Sequence, residues 1–372
     1  MTKSTNASVN IIKEQKSISI DLLRSIAALG VFYYHTHAGT LAARYSSMSF
    51  IGYTDSFGAF YAVPLFFLLS GYCIHASNIK YIKANRALPL REYYTRRALR
   101  IYPPYFAALL FSIVVNYITI PTYKVSLIDI LIHLFSLQGF SAPYFNAINV
   151  VFWTISIELA FYVIYPVFYY LRLRYSLKYS LALVFAVSCV SISCLLFKEE
   201  TATTAQFYNV FNLWFAWCCG AFLADKRSLN PNDLKQPIYI YIYLGIFITF
   251  VYLTFFLNSF SIICYQFKIL IWTAPLVFML SQEKRLKQVQ DHWIIKLIII
   301  FGISSYSLYL LHQPLLEIKN WAIHKYLPAK FQIISSIVGI LAIPFIAFLN
   351  YRFIEKPFLD LRSSKKVKTF LE

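Results

Sequence analysis

The stretch Asp21-Leu22-Leu23-Arg24-Ser25-Ile26-Ala27-Ala28-Leu29-Gly30-Val31-Phe32-Tyr33-Tyr34-His35 lies in the first hydrophobic segment of the chain. Charged side chains are costly in a hydrocarbon surrounding and mark function there by default. On an α-helix each residue advances about 100°, so Arg24 and His35 return to within about 20° of one face, and Asp21 lies about 40° from His35. With a rise of about 1.5 Å per residue, the two cationic groups are about 16 Å apart along the axis, half of a bilayer core of about 30 Å. One helix face thus carries a charge near one membrane surface and an imidazole deeper inside. His37 falls about 200° from His35, on the opposite face, and is set apart from it.

The rest of the composition agrees with a membrane setting. Of 372 residues, 59% are hydrophobic and only 13% charged, against about 25% charged in a soluble domain. The mean hydropathy is +0.59. The expected fold is all-α: a polytopic membrane protein with about ten transmembrane helices. The apolar runs are continuous, which suits helices and not the alternating strands of a barrel. The expected spans cover 18–38, 58–78, 101–120, 148–171, 177–197, 207–224, 237–257, 262–281, 294–316 and 331–354.

The net charge of +18 would suit a nucleic-acid partner, but the basic residues are distributed between spans. With the N-terminus inside, inner loops hold Lys80, Lys83, Arg86, Arg91, Arg96, Arg97 and Arg100, then Arg172, Arg174 and Lys178, whereas outer positions carry isolated cations such as Arg44 and Lys124. This asymmetry places both termini in the cytoplasm and needs no polyanion. The expected organisation is a cytoplasmic tail over 1–17, a transmembrane domain over 18–357 and a second tail over 358–372. Asp21 and Arg24 would be poorly tolerated in a cleavable signal, so the first segment is expected to stay. The outer loop 121–147 contains an apolar run, Leu127 to Phe135, suited to a short interfacial or re-entrant helix.

Five further polar features interrupt the apolar pattern. Ser70-Gly71 in the second span allows close helix approach or lines a substrate path. Arg97 and Arg100 share a helix face at the cytoplasmic start of the third span, where they suit either bidentate binding of phosphate or ordinary positive-inside anchoring. Trp153, Glu158 and Tyr162 fall in the fourth span, with Glu158 near mid-membrane and Tyr162 one turn along. Tyr306, Tyr309 and His312 form a stripe in the ninth span. Tyr351 to Pro357 reads as a terminal anchor and helix stop. His75, His133, His292 and His324 fall near span ends or in loops and read as unremarkable. The six cysteines make no metal-ligand spacing with histidine, so no metal is expected. A Gly-rich phosphate loop and a serine-hydrolase elbow are both missing.

In order and spacing, these motifs resemble the acyltransferase-3 family of integral membrane acyltransferases. Arg24 and His35 match its basic-x10-His element, Arg97-Ala98-Leu99-Arg100 its Arg-x-x-Arg element, and Trp153, Glu158 and Tyr162 its fourth-span motif. Ser305-Tyr306, Tyr309 and His312 resemble its ninth-span signature, and Ile354-Glu355-Lys356-Pro357 its closing one. Thr154-Ile155 stands where Ser-Leu is usual, and Tyr72 where Phe follows Ser-Gly. The resemblance implies transfer of acetyl from acetyl-CoA to a hydroxyl of a cell-envelope glycan, lipid-linked or not, such as lipopolysaccharide O-antigen or exopolysaccharide, at the bacterial inner membrane. The chain is expected to be the stand-alone membrane domain, without the extracytoplasmic esterase-like domain of some members.

On that reading His35, Glu158 and Arg24 are the catalytic candidates. His35 serves as base or as a transiently acylated relay, and both remain open. Arg24, Arg97 and Arg100 hold the CoA phosphates. Asp21, Ser70, Trp153, Tyr162, Tyr306, Tyr309 and His312 contact the acceptor or line the pocket. The expected partners are the donor, the glycan acceptor and the lipid bilayer, with no nucleic acid. A proton-coupled transporter of a small solute would also place His, Glu and Arg within spans, but the two halves show no convincing repeat. The expectation for His35→Ala is a folded protein without transfer, and full transfer by that variant would remove His35 from its assigned role.

Overall fold

The polar residues of the first segment determine what surrounds it. In the computed structural model, which describes residues 17–46, 48–55, 58–197, 203–229 and 262–363, helices and turns account for all regular structure among the described residues. Helix α1 (Ile18–Thr36) buries Asp21, Ser25, Ala27, Ala28 and Val31. It packs against α12 (Trp293–Ile303), α13 (Ser305–Tyr326) and α3 (Val63–Lys83). A helix with these side chains is costly against lipid, and here protein replaces lipid on most of its faces.

Distant acids hold the N-terminus of α1 and the start of the helix that follows it. At the N-terminus, Ser17 does not cap the helix with its own side chain. Glu283, at the start of α11 (Glu283–Val289), accepts hydrogen bonds from the backbone N–H groups of Ile18 (3.0 Å) and Ser19 (3.1 Å) and from the hydroxyls of Ser17 (2.9 Å) and Ser19 (2.5 Å). A carboxylate there satisfies orphan donors and complements the positive end of the helix dipole. At the C-terminus, His37 takes a left-handed conformation with φ 52° and ends the helix. A second short helix, α2 (Ala38–Ser46), starts at once. Asp55 accepts from Gly39 N (2.8 Å), Thr40 N (2.7 Å) and Thr40 Oγ1 (2.7 Å). A Cβ on Gly39 would sit 2.6 Å from Asp55 Oδ1, so this cap requires glycine. Helix α1 therefore ends at Thr36 and not at residue 38, is not among the helices long and apolar enough to cross a membrane by themselves, and carries His35 in its last turn instead of at a deep midpoint.

The central pair is α3 and α8 (Val210–Leu229). A Cβ on Gly71 would collide with Trp217 O, and one on Gly220 with Leu68 O, so the two glycines let the backbones meet. Helices α4 (Leu90–Thr119) and α6 (Trp153–Arg174) complete the core with Tyr93, Tyr105, Phe161 and Tyr165. Helices α7 (Leu177–Leu196) and α14 (Ala329–Asn350) lie outside it and expose Phe185, Val190, Ile333, Ile334, Leu341 and Phe345. Such faces suit hydrocarbon, where satisfied helical backbone and apolar side chains are required. The expected helix in the outer loop is α5 (Leu127–Leu134), closed by a capping box between Ser126 and Asp129 and exposing Leu127, Ile128 and Leu131.

Several spans depart from the sequence expectation. Among the described residues six helices are long and apolar enough to cross a membrane: 60–83, 90–119, 153–174, 177–196, 204–228 and 329–361. A seventh is obtained if α12 and α13, bent by 74° relative to each other, count as one. The expected span 294–316 is thus interrupted by a bend, either as a broken span or as a re-entrant segment. The break at Ser304 follows Gly302, where a Cβ would strike Asp21 O, so the bend lets α12 reach the backbone of α1. The expected span 262–281 is divided into α9 (Ile262–Leu270) and α10 (Thr273–Ser281). The expected span 101–120 starts at Leu90, which puts Arg97 and Arg100 inside α4 instead of at its mouth. The expected span 237–257 lies outside the described residues. After α14 the chain makes a π-turn, Tyr351–Glu355, and a final helix, α15 (Lys356–Ser363).

The α1 cap carries a pH signature. Burial works against ionisation of Glu283, but the hydrogen bonds from Ser19, Ser17 and Ile18 outweigh it and hold the carboxyl below its ordinary 4.5. A carboxyl depressed in the folded state stabilises above its unfolded value, and that stability is lost as pH falls through the folded one. Glu283→Ala should therefore cost about 1–2 kcal/mol at neutral pH. In detergent melting curves, the gap from wild type should narrow and close as the pH drops below 4.5.

Candidate active site

Five helices converge on one cavity. It has about 720 Å³ of empty space, part of it open to the outside. Arg24 comes from α1, Ser70 and Cys73 from α3, Arg97 and Arg100 from α4, Thr154, Glu158 and Tyr162 from α6, and Tyr306 and Tyr309 from α13. Three guanidinium groups thus share a wall with one carboxylate. The surplus of positive charge suits an anion, because guanidinium binds phosphate and carboxylate in a fixed fork.

The acid of this set is held by hydroxyls. Glu158 Oε1 accepts from Ser70 Oγ at 3.2 Å and from the Tyr162 hydroxyl. The tyrosine lies one helical turn along, as the spacing predicts. Ser70 and Gly71 divide their tasks: the glycine packs on Trp217 while the serine faces the cavity. Thr154, at the position where the family pattern has serine, keeps the hydroxyl that matters. It lies 2.7 Å from the Tyr309 hydroxyl, and Tyr309 also bonds Val151 O at 3.2 Å. Tyr306 donates to Ile101 O at 3.1 Å, tying α13 to α4.

The bases are less satisfied. Arg24 lies 3.8 Å from Asp21 and donates to Cys73 Sγ at 3.3 Å. Arg97 is 6% exposed. One of its terminal nitrogens donates to Ser77 Oγ at 3.3 Å, and its guanidinium faces the rings of Tyr93 and Tyr162 at 5.9 Å each. Its buried Nε has no hydrogen-bond partner among the described residues. A buried donor of a charged group left in this state is costly, and a bound anion would remove that cost.

His35 and His312 do not line this cavity. They lie beyond Tyr309, whose ring centroid is 5.9 Å from that of His312. His312 is fully buried, and its Nε2 is 3.2 Å from His35 Nδ1. His35 therefore bonds to Val31 O and His312, whereas the hydrogen bonds of Glu158 go to Ser70 and Tyr162. Trp153 is also outside the cavity. It stacks on Tyr208 at 4.3 Å and on Phe145 at 5.3 Å. Asp21 is buried beside Arg24 without lining the cavity.

Two polar groups of the interior escaped the sequence reading. Glu355, in the segment read as a terminal anchor, is 3% exposed and accepts from Ser307 Oγ at 2.7 Å. The π-turn widens the helix there and carries Glu355 inward. Its partner is in another helix, so no local spacing marks it. His75, read as a residue near a span end, is fully buried. Its Nε2 is 3.1 Å from Asp225 and its Nδ1 is 3.2 Å from the Tyr165 hydroxyl. Arg172 donates to the same carboxylate at 2.7 and 3.2 Å. This network joins α3, α6 and α8.

An all-helical membrane fold that gathers arginines, a glutamate and tyrosines in an interhelical cavity is an arrangement compatible with a membrane enzyme or carrier. Comparison narrows the class. The family model described as "Acyltransferase domain" (Acyl_transf_3) matches residues 17–352. The chain belongs to this acyltransferase family. It is 25% identical over 361 residues to the O-acetyltransferase OatA of Staphylococcus aureus, covering 91% of this chain and 56% of that protein. It is 23% identical over 361 residues to the peptidoglycan O-acetyltransferase OatA of Listeria monocytogenes, covering 91% and 55%. The chain spans about half the length of these curated relatives. No solved structure matches it.

Asp225→Ala should leave Arg172 and His75 without their shared acceptor inside the bundle. Removing one partner of a buried pair costs about 3 kcal/mol or more, so the melting midpoint in detergent should fall clearly. An unchanged midpoint would show that the network adds nothing to helix packing.

Proposed function

We propose that this protein is an O-acetyltransferase of the bacterial inner membrane that moves acetyl from acetyl-CoA to a hydroxyl of a cell-envelope glycan. One observation carries the reading: a cavity with three arginines, one of them buried with an unpaired Nε, within a chain of the acyltransferase family. Acetyl-CoA offers a group of phosphates for those arginines. Both termini lie in the cytoplasm on this reading, since the basic loops favour that orientation. The glycan assignment draws support from the relative named for peptidoglycan.

The chemistry follows from the side chains. A sugar hydroxyl is a weak nucleophile and needs a base. His35 takes the proton as the hydroxyl oxygen attacks the thioester carbonyl. The C–S bond breaks, and the proton passes to the departing thiolate. In the relay form, His35 attacks the thioester carbonyl and the C–S bond breaks to release the thiolate; the acceptor hydroxyl then takes the acyl group from the ring and its proton passes to that thiolate. Arg24, Arg97 and Arg100 bind the donor, and Glu158, fixed by Ser70 and Tyr162, positions the reacting groups. Tyr309 lies between the cavity and the histidines, where an acyl group would pass.

The direct test is mass spectrometry of envelope glycans from cells without the protein, with it, and with His35→Ala. An acetyl mass present only with the intact protein is the expected result. No difference in any fraction, with the protein present in the membrane, would overturn the reading. For the purified protein, Arg97→Ala should weaken binding of labelled acetyl-CoA about 10–100-fold, the worth of a hydrogen bond to a charged group. Unchanged binding would remove Arg97 from the donor site.

A further inference from the structure

Backbone carbonyls and the contact between the two rings fix where the histidines beyond Tyr309 carry their hydrogens. His312 Nδ1 lies 3.1 Å from Leu308 O and 2.8 Å from Tyr309 O. Carbonyl oxygens only accept, so this nitrogen carries the hydrogen. A neutral imidazole has one N–H, and the other ring nitrogen then presents a lone pair. His312 Nε2 is therefore an acceptor, and it lies 3.2 Å from His35 Nδ1. His35 Nδ1 also lies 3.0 Å from Val31 O, a second acceptor. Both neighbours of His35 Nδ1 accept, so it must donate. The lone pair of His35 is then on Nε2.

The two rings are not equivalent. His312 is fully buried, and its lone pair is occupied by the His35 N–H. The rings of Phe32 and Tyr309 enclose it, with centroids at 6.4 and 5.9 Å. His35 is only half-buried. It is the ring that a substrate can meet.

We infer that His35 reacts through Nε2 and that His312 is the positioning residue that makes it do so. The inference rests on the acetyl-transfer reading for the reaction itself, but not for the tautomer. When Nε2 takes the proton of the acceptor hydroxyl, the ring becomes an imidazolium and its Nδ1–H becomes a stronger donor. The lone pair of His312 receives that stronger bond. In many hydrolases a carboxylate has this place behind the histidine; here a second, neutral imidazole occupies it. Its own hydrogen is tied to two carbonyls of its helix, so His312 cannot turn over and offer N–H to His35 without losing both bonds. Glu158 is thereby released from orienting His35 and is available to the cavity.

Two measurements test this. In protein labelled with 15N-histidine and held in bilayers, with the His35 signal assigned by its loss in His35→Ala, solid-state NMR should show protonated Nδ1 and unprotonated Nε2. A protonated Nε2 on neutral His35 would overturn the inference whether or not transfer is observed. In the transfer assay, His312→Leu should lower kcat about 10–100-fold, with KM for acetyl-CoA unchanged. His312→Gln, whose side-chain oxygen can accept the His35 N–H, should recover part of the loss. An intact kcat, or a raised KM as the only effect, would make His312 a substrate contact or a packing residue and overturn the positioning role. If wild-type protein transfers nothing while the spectrum shows the expected tautomer, the failure belongs to the acetyl-transfer reading.

Discussion

A helix that carries Asp21, Arg24 and His35 has no favourable place against hydrocarbon, and the rest of the bundle answers that constraint. Other helices enclose α1, an acid from α11 neutralises its N-terminal donors, and an acid from the following loop caps the helix that continues its path. The bend between α12 and α13 belongs to the same solution. It brings Gly302 onto the backbone of Asp21 and, beyond the break, sends His312 toward His35. The polar groups that make α1 expensive in lipid thus become the groups around which the protein packs.

The cavity next to α1 is unequal in charge, and that inequality is its chemical content. Among the described residues the network at Asp225 is closed, since its carboxylate satisfies both Arg172 and His75. The cavity instead keeps Arg97 with a buried, unpaired nitrogen, and places its one lining carboxylate under the control of two hydroxyls. A buried guanidinium with an unpaired nitrogen beside open space favours an anion as its partner. The closed network at His75 has the opposite character and ties α3 and α6, which line the cavity, to α8.

The histidine pair adds a second principle. A lone imidazole in a membrane protein can present either nitrogen; a pair with one ring tied to helix carbonyls can present only one. The geometry needs no charged partner, which is an advantage where desolvation of a carboxylate would be costly.

Much of this was legible in the chain itself. Continuous apolar runs dictated an all-helical membrane protein, because only helices satisfy the backbone in such segments. The periodicity of α6 placed Tyr162 over Glu158, and the Ser70-Gly71 step announced close packing, since both are properties of one helix or one residue. Partners from different helices were not legible. Glu355 with Ser307, His75 with Asp225, and His312 with His35 are separated by 48, 150 and 277 residues. Helical spacing says which side chains share a face, but not which face of another helix they will meet. The break at Ser304, the early start of α4 and the π-turn at Tyr351–Glu355 are likewise outcomes of packing: each relieves a steric or polar demand that arises only once the helices are side by side. Sequence alone determined which segments are helical and where polar side chains interrupt them; tertiary structure decided which of those side chains meet, because meeting is a property of pairs of helices and not of any one.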